Sequence, residues 1–145
     1  MSTADLPAEL RLERQSYPAP WHAWFFRRLL RRRASCWVLE QGGIVCGYGV
    51  MRCVRGWAHI MNLCVAQDRR RRGLGRKMLI QLMKKGHHCG AGRAWLEVHP
   101  DNRGAIALYR SLGFRTQLRR KGYYLHSPQR QRDALIMTCK LGYTG

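Results

Sequence analysis

Apolar residues recur at helical spacing in Asp5 to Ser16 and again in Trp21 to Arg32, and the breakers Pro18 and Pro20 separate the two stretches. Both are expected helices. Cys36 to Glu40 and Ile44 to Val54 then read as a hairpin across the turn Gln41-Gly42-Gly43, and Trp57 to Val65 continues the meander after a turn at Gly56. A helix from Gly73 to Lys85, a strand from Arg93 to Val98 and a helix from Asn102 to Leu112 alternate next. Two strands, near Arg115 to Leu125 and Asp133 to Leu141, close the chain. The order predicts the α/β class, a mixed sheet flanked by helices.

Two segments carry candidate chemistry. Arg70-Arg71-Arg72-Gly73-Leu74-Gly75-Arg76 lies between an apolar strand and the amphipathic stretch Lys77 to Lys85. Gly73 and Gly75 lack a Cβ, so the backbone there can turn tightly and approach a ligand closely. The helix that follows directs its first amides back into the turn, which makes a place for an anion. Basic turns are more commonly solvated surface, and a short Gly-x-Gly element is weak evidence alone. The second segment is Ala94-Trp95-Leu96-Glu97-Val98, with one carboxylate inside an apolar strand, followed by Pro100-Asp101-Asn102 as a turn and N-cap. Ala105, Leu108, Tyr109 and Leu112 recur at helical spacing, and Gly113 is placed to end that helix in the left-handed conformation. Taken singly, Tyr109 reads as a core aromatic and Glu97 as a strand-edge carboxylate.

Together, Arg-Arg-Gly-Leu-Gly-Arg, Leu-Glu-Val, Asn102 and Ala107-Leu108-Tyr109-Arg110-Ser111-Leu112-Gly113-Phe114 resemble, in this order and spacing, the GNAT superfamily of acetyl-CoA-dependent N-acetyltransferases. Within it the likeness is greatest to the ribosomal-protein alanine N-acetyltransferases, the RimI branch. It runs on through Arg119-Arg120-Lys121-Gly122-Tyr123-Tyr124 to Asp133-Ala134-Leu135-Ile136-Met137 and covers most of the chain. The resemblance implies a mixed, mostly antiparallel central sheet, splayed where the cofactor lies, with acetyl-CoA as co-substrate and no metal. It implies that Trp57 to Val65 and Arg93 to Val98 diverge around the pantetheine arm, so that the backbone of Leu63, Cys64 and Val65 bonds the pantetheine amides. It further implies that amides of Arg71, Arg72, Gly73, Leu74, Gly75 and Arg76 hold the pyrophosphate, that Asn102 contacts the pantetheine, and that Tyr123 and Tyr124 meet the acceptor. Glu97 matches the family's general base and Tyr109 its general acid.

Length and composition narrow the setting. The 145 residues fit one domain, residues 1–145, and neither a linker nor a repeat interrupts them. Apolar runs fall far short of the roughly 20 residues a membrane span needs, and no charged-then-apolar leader opens the chain, so a soluble, cytoplasmic protein is expected. Cys36, Cys46, Cys53, Cys64, Cys89 and Cys139 are spread widely, mostly in apolar strand-like runs, and read as buried free thiols rather than a disulfide framework. His87-His88-Cys89 has no second ligand pair at a recognisable spacing, and Gly86 and Gly90 mark it as a surface turn. Charge is the outlier: 27 Lys and Arg against 8 Asp and Glu give +19. That excess predicts an anionic partner, ribosomal RNA among them, in contact with runs such as Arg27-Arg28-Leu29-Leu30-Arg31-Arg32-Arg33. A solvated arginine-rich face is the competing reading.

Acetyl transfer needs a neutral amine, whereas a free α-amino group has a pKa of about 7.7 to 8.0 and a lysine about 10.4. A base must therefore take a proton, and an isolated carboxylate on an apolar strand is the kind whose pKa rises toward the working range. The RimI likeness implies the N-terminal amine of a ribosomal protein as acceptor. The loop His126 to Arg132 has no carboxylate before Asp133, so acidic-leaning N-termini, or recognition through Tyr123, Tyr124 and the backbone, are favoured over polycationic acceptors. Fold and cofactor motif do not fix the acceptor, which leaves a protein lysine or a small-molecule amine as the alternative within enzymes. A ribosome- or RNA-binding module on the same fold is the alternative from another class, and the Glu97 and Tyr109 pair counts against it.

Overall fold

Local chemistry explains most of the chain's turns. A computed structural model describes residues 35–70, 73–120 and 133–142. The expected helices at 5–16 and 21–32 therefore lie outside the described residues. Strand β1, Ser35–Gln41, meets β2, Ile44–Val54, in an antiparallel hairpin. Its two-residue turn has Gly42 at φ 59° and Gly43 at φ 79°, both in the left-handed region, the geometry that suits the twist of the flanking strands. Arg55 at φ 51° and Gly56 at φ 83° repeat it before β3, Trp57–Val65. Helix α1, Leu74–His88, leads to β4, Arg93–Val98, and helix α2, Arg103–Ser111, to β5, Arg115–Arg120, and β6, Ala134–Lys140. The strands form one six-stranded sheet in the order β1-β2-β3-β4-β6-β5, with β6 antiparallel to both β4 and β5. The expected α/β class is present. No helix among the described residues is long and apolar enough to cross a membrane.

The described residues fall into two compact units, one of 35–52 with 60–70 and 73–82, and the other of 53–59 with 83–120 and 133–142. In the first, β2 is buried without a break from Cys46 to Met51, as a strand covered on both faces must be. Leu74, Met78, Leu79 and Leu82 form the buried stripe of α1. Met78 and Leu82 come down where Gly49 has no side chain: a Cβ there would lie 2.9 Å from Leu82 Cδ1. Tyr48 is fully buried and its hydroxyl accepts a 3.2 Å bond from Asn62 Nδ2.

In the second unit, Ala94, Leu96 and Val98 of β4 alternate with the more exposed Arg93, Trp95 and Glu97. Both helices end in the same way. Gly113 (φ 97°) donates to Arg110 O and Phe114 N to Tyr109 O, while Gly90 (φ 89°) donates to His87 O and Ala91 N to Gly86 O. These are Schellman motifs, which give the last carbonyls the partners the helix cannot supply. Gly113 was legible as a stop. Gly86 was not a turn: it is buried inside α1, which runs to His88, and the left-handed Gly90 ends it.

The thiols are less uniform than expected. Cys46, Cys64 and Cys139 are buried, but Cys53 is half-buried and Cys89 exposed, and all five are unbridged. Burial pushes the Cys53 thiol above its ordinary value, with the charge and hydrogen bond of Cys89 adding to the rise and Lys85 opposing it. Burial likewise raises Cys139, against the pull of Arg115.

Candidate active site

In the first unit, the segment from β3 to α1 is built from backbone and arginine bonds. Ala66 N donates to Cys46 O at 2.8 Å, and a short 3-10 turn, Gln67–Arg69, follows with Arg69 N on Ala66 O at 2.9 Å. Arg69 Nη1 reaches Gln41 Oε1 at 2.8 Å, and Arg70 Nε caps the Val65 carbonyl at 3.0 Å. Arg70 thus spends its guanidinium partly on the chain itself. Gly73 stands at φ 76° with no other described residue within 4 Å of the place a Cβ would take, and Lys77 N on Gly73 O, 3.1 Å, is the first bond of α1.

Gly73 therefore makes the tight turn expected here, and makes it in the left-handed conformation. Gly75 does not share that role, because it is already the second residue of the helix. The first turn of α1 holds no acidic residue, although Asp and Glu usually complement a helix start. Arg76 and Lys77 stand exposed there instead. A left-handed glycine with open space beside it, leading into an acid-free helix start, fits a phosphate group. Leu63, Cys64 and Val65 close β3, and Cys64 is buried with its carbonyl 2.9 Å from where a Cβ of Gly47 would be. Arg71 and Arg72 lie outside the described residues, as do Tyr123 and Tyr124.

The second unit holds the candidate proton-transfer groups. Glu97 is not isolated, contrary to the expectation from its apolar strand: its Oε2 lies 2.8 Å from His59 Nε2. An ionised carboxylate only accepts, so the imidazole donates from Nε2. The side chains are 10 % and 24 % exposed. The His59 ring also lies flat on Trp95, with centroids 3.7 Å apart and planes 5° from parallel.

His59 escaped the sequence reading although half of its signal was there. Counting by two from buried Ala58 and Ile60 puts His59 on the opposite face of β3, as counting from Ala94 and Leu96 does for Trp95 and Glu97 on β4. What one sequence does not reveal is the register that sets one strand's residue beside the other's.

Tyr109 is buried in the last turn of α2, 6.0 Å from Phe114 between ring centroids. That contact is the apolar clasp of a Schellman motif, so the predicted core reading describes the ring, and the phenol's chemistry is a separate matter. Asn102 is exposed and caps α2, its Oδ1 accepting from Ala105 N at 3.2 Å. Before it, His99 Nδ1 accepts from Asp101 N at 3.0 Å and His99 O from Asn102 N at 2.9 Å, which fixes the turn. Among the described residues, no three His, Cys, Asp or Glu side chains gather as metal ligands would.

The sequence profile described as acetyltransferase (GNAT) family matches residues 5–114. The chain is 35% identical over 137 residues to the [ribosomal protein bS18]-alanine N-acetyltransferase of Escherichia coli, covering 94% of this chain and 92% of that one. The crystal structure of the Escherichia coli ribosomal-protein-S18-alanine N-acetyltransferase superposes with a TM-score of 0.89 at 33% identity, over 100% of this chain and 93% of its own. Ard1 from Thermoplasma volcanium has the same fold, with a TM-score of 0.89 at 24% identity over 99% and 95% of the two chains. The chain thus belongs to the acetyltransferase (GNAT) family, as a RimI-like N-acetyltransferase that uses acetyl-CoA.

Proposed function

We propose that the chain acetylates the N-terminal α-amino group of a ribosomal protein, with Glu97 as general base and Tyr109 as general acid. The observation that carries this reading is a half-buried carboxylate on β4 held by a defined donor from β3, in a chain similar over 94% of its length to a ribosomal-protein N-acetyltransferase. Acetyl-CoA supplies an activated thioester. The amides from Arg71 to Arg76, in the turn that Gly73 opens, take its pyrophosphate, the backbone of Leu63, Cys64 and Val65 takes its pantetheine amides, and Asn102 adds a contact through its amide. Glu97 draws in the ammonium form and removes a proton from it; the neutral amine attacks the thioester carbonyl to form the C–N bond, and the tetrahedral intermediate loses a second N–H proton to solvent as the C–S bond breaks. As the thiolate departs, the Tyr109 hydroxyl supplies its proton, and the phenolate is reprotonated from solvent. Tyr123 and Tyr124 receive the acceptor chain. The excess of positive charge, +19 in all, serves encounter with ribosomal RNA beside the acceptor.

Glu97→Gln tests this directly. Glutamine keeps the shape and an acceptor oxygen for His59 but removes basicity, so acetyl-CoA affinity stays while kcat on an N-terminal peptide falls by roughly 100- to 10,000-fold. The loss shrinks as pH rises through the amine's own titration, because a neutral amine needs no base. Profiles of mutant and wild type that stay parallel across that range would remove Glu97 from the role. Mass mapping of the product separates the α-amino group from a lysine.

A further inference from the structure

Glu97 pairs with Ile136 of β6 through the backbone, yet its carboxylate turns to a side chain on a different strand, His59 of β3. Three features of that contact go together. The bond is 2.8 Å, within the range of charge-assisted hydrogen bonds. The donor ring is laid on the indole of Trp95, two residues before Glu97 on the same strand, with planes 5° apart. Rotation of the imidazole would break either the stack or the bond, so the platform fixes the direction of Nε2. The carboxylate is also mostly removed from water at 10 % exposure, and a half-buried acid–imidazole pair adds little net stability over apolar side chains of the same volume. What the pair does provide is direction. With Oε2 fixed by His59, the plane of the carboxylate and the place of Oε1 follow.

We propose that His59 is the positioning residue for Glu97: it donates from Nε2 to Oε2, on the Trp95 platform, and so holds Oε1 where the amine's proton is taken. His59 keeps its own proton throughout, and the proton balance of the reaction is unchanged. The role rests on Glu97 being the base, and the experiment keeps the two apart.

His59→Phe retains a flat ring on Trp95 and loses the donor, whereas His59→Gln carries an amide N–H at about the reach of Nε2. His59→Asn is too short to reach Oε2 and stands in for phenylalanine if that variant melts early. Each is made in the wild-type and Glu97→Gln backgrounds and assayed with an N-terminal peptide and acetyl-CoA. Misplacing a catalytic group by about 1 Å costs on the order of 100-fold, so His59→Phe is expected to lower kcat by roughly 10- to 100-fold with KM for acetyl-CoA unchanged. His59→Gln returns to within about 5-fold of wild type, and in the Glu97→Gln background His59→Phe adds less than about 2-fold, as residues acting as a unit do. Wild-type kcat in His59→Phe overturns the proposal. So does a glutamine variant no better than phenylalanine or asparagine, or a loss that multiplies in full on Glu97→Gln. Full activity in Glu97→Gln alone overturns the base assignment first, whatever His59 does.

Discussion

Two glycines of β2, two residues apart, make a controlled pair for the packing under β3. A Cβ on Gly47 would sit 2.9 Å from the carbonyl oxygen of Cys64, with Leu39 Cβ and Val65 Cγ2 at 3.6 Å. A Cβ on Gly49 would also meet its nearest atom at 2.9 Å, but that atom is Leu82 Cδ1, followed by Met78 Cγ at 3.2 Å and Sδ at 3.3 Å. The distances match and the obstacles differ. Side-chain ends swing aside by changing rotamer, while a strand carbonyl moves only with its strand. In Gly47→Ala the backbone of β3 must yield several tenths of an ångström at Cys64, an overpacking that costs roughly 1–3 kcal/mol. The lower chain entropy of unfolded alanine offsets about 0.4–1 kcal/mol of it. A net loss of about 1–2 kcal/mol follows, or roughly 3–8 °C in Tm at this chain length. For Gly49→Ala the two contributions nearly cancel, within about 0.5 kcal/mol. Urea melts measure the stabilities, and calorimetric titration with CoA measures the second consequence: Cys64 is among the proposed pantetheine contacts, so Gly47→Ala weakens CoA and Gly49→Ala does not. Equal destabilisation by both alanines would show that β3 gives as easily as a leucine methyl. Unchanged CoA affinity in a folded Gly47→Ala protein would remove Cys64 from the cofactor's contacts.

Tyr109→Phe keeps the ring against Phe114 and removes only the hydroxyl, so stability changes by about 1 kcal/mol at most while kcat falls roughly 100-fold or more; wild-type turnover would move the acid to water or Tyr123. Gly73→Val forces a β-branched residue into φ 76°, at a cost of roughly 1–3 kcal/mol, and places methyl groups where the phosphate is expected. CoA affinity should drop at least about 10-fold, and an unaltered titration would show that this turn is not the cradle. Burial raises the folded-state pKa of Cys139 above the ordinary 9.0. The stability it contributes is therefore fully present below that value and is lost as pH climbs through the folded one. Urea midpoints between about pH 8 and pH 10.5 should fall less steeply for Cys139→Ala than for wild type, and identical slopes would contradict the burial effect.

The elements that local chemistry dictates could be read from the chain alone. Two glycines in a row gave the hairpin, a short apolar run gave Arg93–Val98 to the residue, and Asn102 and Gly113 bracketed α2 as cap and stop. Gly86 misled because glycine is only a weak helix breaker, costing about 1 kcal/mol against alanine. Inside α1 it is buried, and its carbonyl accepts from Ala91 N in the Schellman motif at Gly90 that ends the helix. At the site, the residue types were legible and their company was not. Glu97 stood out as a carboxylate in an apolar strand, but its partner lies 38 positions away, on a strand whose register depends on packing. The Cys53 and Cys89 contact is hidden for the same reason.

Strand β5 ends the order of the sheet, and each of its six positions is exposed, with Leu118 at 50 %. A bare strand of that kind is a template on which another chain can grow. Half of β5 is arginine, Arg115, Arg119 and Arg120, and Asp133 answers Arg119 at 2.7 Å. A second copy that aligned its own β5 there would bring rows of like charge together, at a few tenths of a kcal/mol or more for each facing pair. Like charge therefore disfavours pairing of two such edges. That repulsion is electrostatic and reaches only about 8 Å at physiological ionic strength and about 3 Å in molar salt, so high salt weakens what disfavours the pairing of two such edges.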